Sequence, residues 1–142
     1  MTKLVFGLLL VLSSLFSFGD SYDYYRQFRY PEAFAEIERE ITYPKANLES
    51  LLNLAQKIFV HNKGVSKEQM QALHDKISSK ADKALKERIK HDKAVVADWE
   101  QLSQMPSVQV DMALELLRKS PHKNAQKQSQ IRFYQLMQEF KP

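Results

Sequence analysis

A chain of 142 residues with no cysteine and a formal charge of +4 at pH 7 belongs to a restricted class. Without thiols it has no disulfide, no Cys-ligated zinc or iron–sulfur cluster and no thiolate nucleophile, so its fold rests on packing alone. So mild a net charge also argues against nucleic acid as a partner.

The chain opens with Met1-Thr2-Lys3, one positive charge ahead of a mostly apolar run from Leu4 to Phe16. Ser17-Phe18-Gly19 then places small residues where a signal peptidase reads them. This order predicts a secretory signal peptide, residues 1–19, cut after Gly19. The run is shorter than the ~20 apolar residues that span a bilayer, so an uncleaved anchor is the lesser alternative. Residues 20–142 then form a single exported domain with no transmembrane span, long enough to bury a core. No Asn-x-Ser/Thr triplet occurs, so N-glycosylation is not expected.

Only three glycines are present and no run alternates as a strand does, whereas apolar residues recur at helical spacing. Pro31 opens a first helix with Phe34, Ile37 and Ile41 on one side. The pattern breaks at Thr42 to Pro44. Leu48, Leu51, Leu52, Ala55, Ile58 and Phe59 make the cleanest amphipathic stripe, with Gly64 placed to end it. Ser66 and Gln69 then have the spacing of a capping box. From Lys67 to about Gln104 there is neither proline nor glycine. One long helix is the simplest reading, with a break near Lys90-His91-Asp92, where the stripe shifts, as the alternative. Met105-Pro106-Ser107 stops it and starts a short helix carrying Val110, Ala113, Leu114 and Leu117. After Ser120-Pro121, Asn124 caps a last helix with Phe133, Leu136, Met137 and Phe140 inward. The expectation is an all-α fold of about five amphipathic helices in a compact bundle around one long central helix. Pro44-x-x-Asn47 and Pro121-x-x-Asn124 enter two of these helices in the same way, a faint internal echo.

This order of parts resembles the nematode SXP/RAL family, secreted helical proteins that include parasite allergens. The resemblance is carried by Glu32-Ala33-Phe34-Ala35-Glu36-Ile37, Thr42, Leu48 to Lys57, Leu102 to Leu117 and Gln126 to Ile131. It implies a secreted helical bundle, calcium or magnesium binding in the region the family calls its cation-binding domain, and no enzymatic activity. It transfers no ligand residues position by position, and the Tyr-rich N-terminal segment departs from the family pattern.

The residues themselves offer three binding readings. Glu32, Glu36 and Glu40 lie four apart, so a helix stacks three carboxylates whose mutual repulsion a hard cation would relieve. An ordinary exposed helix face is the alternative, and Asp111 with Glu115 makes a shorter pair. There is no Asp-x-Asp-x-Asp-Gly loop, and His61, His74, His91 and His122 never recur at i, i+4. These histidines are expected at the surface, and with no nucleophile elbow or glycine-rich loop, catalysis is not expected. Tyr22, Tyr24, Tyr25, Arg26, Arg29 and Tyr30 interleave aromatics with cations, together with Phe28 and Phe34. They either seal one end of a bundle or form a surface for an extracellular protein, glycan or lipid. The basic run of Arg118, Lys119, Lys123, Lys127, Arg132 and Lys141 against Glu139 alone is the other half of such a surface. Finally, amphipathic helices with methionine and phenylalanine can enclose a small hydrophobic ligand such as a lipid.

Overall fold

The computed structural model describes residues 21–61 and 64–140. The predicted signal peptide lies outside the described residues. Every regular element among them is helical, as expected, but there are eight helices and no long central one. The chain divides into two compact units, Met1–Ala46 and Asn47–Pro142.

In the first unit, α1 (Ser21–Arg26) precedes α2 (Tyr30–Glu40). Helix α1 was not anticipated, because the residue that ends it is not glycine. Phe28 takes φ 60°, Arg29 N–H donates to Tyr24 C=O at 2.9 Å, and Phe28 N–H donates to Tyr25 C=O at 3.0 Å. That pair of bonds is a Schellman stop, normally built on glycine because an L-residue crowds its own Cβ there. Pro31 falls in the first turn of α2, where a missing N–H does no harm, and Phe34, Ile37 and Ile41 are buried as predicted.

The second unit contains α3 (Leu48–His61), α4 (Lys67–Ser78), α5 (Lys83–Ala97), the one-turn α6 (Trp99–Leu102), α7 (Ser107–Lys119) and α8 (Ala125–Glu139). Helix α4 packs on α3 and α5, and α8 packs on α3, α5 and α7. Both Pro-x-x-Asn entries behave alike. Asn47 accepts from Ser50 N–H at 3.1 Å and Asn124 from Lys127 N–H at 2.9 Å. The predicted capping box is complete, with Ser66 Oγ accepting from Gln69 N–H and Gln69 Oε1 from Ser66 N–H.

The expected helix from Lys67 to Gln104 is instead three. It stops at Ser79, and Asp82 starts α5 by accepting the Leu85 N–H at 2.8 Å. It stops again at Asp98. Side-chain oxygen competing for backbone N–H, rather than proline or glycine, makes the first break. No break occurs at residues 90–92, which lie within α5. The stripe shifts there because the inward position is taken by a carboxylate, Asp92, flanked by Ile89, Val95 and Val96 in the core. On α7, Val110 and Leu114 are buried while Val108, Met112 and Leu116 are exposed. On α8, Phe133 is buried but Phe140, expected inward, is 55% exposed.

Candidate functional site

Where α3, α4, α5 and α8 of the second unit meet, the core is polar. Gln56 on α3, His74 on α4, Asp92 on α5 and Ser129 on α8 are all buried. Asp92 Oδ2 accepts from Gln56 Nε2 at 2.7 Å and from Arg88 Nε at 3.1 Å, and its Oδ1 accepts from Arg132 Nη2 at 2.8 Å. Ser129 adds a fourth hydrogen bond. Burial alone would raise the Asp92 pKa, but the Arg132 charge and these hydrogen bonds outweigh it and hold the carboxyl below its ordinary value. Arg88 reaches on to Gln56 Oε1 at 3.1 Å and to Asn53, and burial together with the Arg132 charge lowers its own pKa. Arg132 Nε is buried with no hydrogen-bond partner among the described residues.

His74 was expected at the surface; it is instead fully buried. Its Nε2 lies 3.1 Å from Gln56 Nε2 and its Nδ1 lies 3.0 Å from Gln71 Oε1. Gln71 in turn donates to the Lys93 carbonyl at 2.9 Å. Burial pushes the imidazole down to about 4, with Lys93 and Arg88 adding to the effect and Asp92 opposing it. The network ties α3, α4, α5 and α8 together, and on its outer side Arg88 and Arg132 line an open cleft of about 360 Å³ with Glu49, Asn53, Glu87 and Gln128.

The glutamate ladder is not an exposed face. Glu36 and Glu40 are buried, and only Glu32 is exposed. Glu40 accepts Ser21 N–H at 2.9 Å and Ser21 Oγ–H at 3.2 Å, which anchors the start of α1. Glu36 pairs with Arg39 at 3.5 Å and Glu32 with Arg29 at 3.6 Å. Asp111 accepts from Gln138 and Glu115 pairs with Lys119. Among the described residues no three His, Asp or Glu side chains are grouped to hold a metal ion.

The N-terminal aromatics largely contact one another. Tyr25 and Tyr30 meet edge to face at 5.6 Å, Phe28 and Tyr30 at 6.3 Å, and the Arg29 guanidinium lies 4.9 Å from the centre of the Tyr24 ring. Arg26 pairs with Asp23 at 2.7 Å. Tyr22 and Phe28 remain exposed, Phe28 at 77%.

The second unit also holds a cleft of about 730 Å³. Phe59, Val60 and His61 line it from the end of α3, and Met137 and Phe140 from the end of α8. Lys67 and Glu68 contribute from the start of α4, Trp99 and Glu100 from α6, and Ser107 and Val110 from the start of α7. Val65, Ser103 and Met105 complete it. Trp99 lies 5.2 Å from Phe59 and 6.0 Å from Phe133, ring centre to ring centre. His61 stacks on Phe140 at 4.8 Å and donates through Nε2 to the Leu136 carbonyl at 2.6 Å, so the last turn of α8 is pinned to α3. Of the methionines expected to line a cavity, Met105 and Met137 do, Met70 is core and Met112 is exposed.

Among the described residues no helix is long and apolar enough to cross a membrane. Compared with known protein families, curated proteins and solved structures, the chain shows no match.

Proposed function

We propose that this is an exported, non-enzymatic binding protein that carries a small, largely apolar ligand in the cleft between α3, α4, α6, α7 and α8. The observation that supports it is the cleft itself: about 730 Å³, walled by Phe59, Trp99, Val110, Met137 and Phe140. Ligand sites commonly occupy roughly 300–1,000 Å³ and combine an apolar wall with a few polar groups, here His61, Lys67 and Ser107. Export rests on the signal-like residues 1–19. Native mass spectrometry of the protein purified from its own host tests the reading. A bound molecule of defined mass is expected, and a bare polypeptide overturns it.

Two other proposals stand beside it. Weak calcium or magnesium binding follows from the SXP/RAL resemblance, and its candidate carboxylates are Glu32, Glu36 and Glu40. A partner surface at the N-terminal segment is favoured by Phe28, a bulky aromatic left exposed in a left-handed backbone conformation.

A further inference from the structure

The cleft's rim carries more information than its apolar floor. Lys67, Glu68 and Glu100 are the lysine and the two acidic side chains that line the cleft. The Lys67 ammonium donates to the neutral Ala97 carbonyl at 3.2 Å, which leaves one cation against two carboxylates at the rim. Glu68 and Glu100 are both exposed, and among the described residues neither has an ion-pair partner. Helix ends do not reverse this balance. Helices α4 and α7 begin at the cleft, with α4 closed by its own capping box, while α3 and α8 end there. The rim is therefore net acidic above an aromatic floor of Phe59 and Trp99, and aromatic faces also attract cations. A fatty acid would bring its carboxylate against two like charges and one opposite, whereas an amine would meet two opposite charges and one like.

We propose that the cleft selects amphiphilic amines: an alkyl or aryl body on Trp99 and Phe59, and a protonated nitrogen at the rim facing Glu68 and Glu100. This rests on the cleft being a ligand site, and it narrows the ligand class.

Trp99 is the chain's single tryptophan, so its fluorescence reports on the cleft without a label. The test titrates the full processed chain at pH 7 and low salt with decylamine, decanol and decanoate, each below its aggregation limit. The expected order is amine, then alcohol, then carboxylate, with about a tenfold gap between the first and last, the scale of a few partly screened charge contacts. The paired variant Glu68→Gln, Glu100→Gln should bring decylamine to the level of decanol or below it, since Lys67 remains, and leave decanol unchanged. Both side chains are exposed, so the variant is expected to keep the parent's far-UV spectrum. Decanoate or decanol binding as tightly as decylamine overturns the amine inference and leaves the carrier reading standing. No saturable response to any of the three overturns both.

Discussion

Gln56 donates its amide nitrogen to Asp92 Oδ2 at 2.7 Å, and that bond fixes the protonation of a third residue, His74. Asp92 can only accept and Arg88 can only donate, so the Gln56 amide has one orientation, nitrogen toward Asp92 and oxygen toward Arg88. Its second N–H then points at His74 Nε2, which must be an acceptor. The imidazole is therefore neutral, with its proton on Nδ1 donated to Gln71.

Acid should loosen the second unit for this reason. The His74 pKa falls from 6.5 in an open chain to about 4 in the fold. Between those values the unfolded state binds a proton that the native state refuses, so stability drops as pH falls from about 7 towards 4. The full effect is about 3 kcal/mol. Asp92, whose pKa is lowered in the fold, acts in the same direction at still lower pH, through and below the ordinary carboxylate range. Urea midpoints measured from pH 7.5 to 4.5 should decline, and His74→Gln should flatten that decline. An equal slope in the variant would show that another group carries it.

Asp92 and Arg132 should respond unequally to removal. Asp92→Asn leaves Arg88 and Arg132 facing each other without their shared counter-charge, at a cost of about 3–5 kcal/mol. Arg132→Met should cost less, because Arg88, Gln56 and Ser129 still satisfy Asp92 and an unpaired buried Nε is removed. Guanidinium denaturation of the two variants gives the comparison, and the reverse order would mean that the two arginines do not repel appreciably.

Phe28→Gly should stabilise the first unit. Glycine relieves a left-handed conformation that costs a non-glycine residue about 1–2 kcal/mol. The offsets are glycine's extra freedom in the unfolded chain and one edge contact with Tyr30. A net gain of about 0.5 kcal/mol in thermal unfolding is expected. Loss of binding to anionic vesicles in the same variant would mark Phe28 as held in strain for contact rather than for folding.

Glu40 separates anchoring from cation binding. Ser21→Ala removes one hydroxyl bond to Glu40 and should cost about 1 kcal/mol. If Glu40 serves chiefly to hold Ser21, calcium titration of the parent protein should give no saturable heat. Saturable heat that Glu36→Gln and Glu40→Gln abolish would instead establish the cation site.

What could be anticipated from the residues was whatever depends on neighbours in sequence. Caps at Ser66, Asn47 and Asn124, and the buried faces of α2 and α3, follow from local spacing. The stop at Phe28 was missed because nothing in a phenylalanine signals a left-handed turn, and the break before Asp82 because only a side-chain cap makes it. His74 and Asp92 are 18 residues or more from the partners that bury them, Gln56 and Arg132. Their one local trace is the shifted stripe in α5, where a core position holds an acid. The cleft left still less trace, since helix beginnings and ends spread from Phe59 to Phe140 build it.

Asp92 binds residues on α3 and α8 from its place on α5, and Gln56 extends the tie to His74 on α4. Sliding any one of these four helices would strand a charge or an amide away from water. The second unit should therefore open as one cooperative block, its slowest amide protons on all four helices exchanging at a common free energy rather than helix by helix.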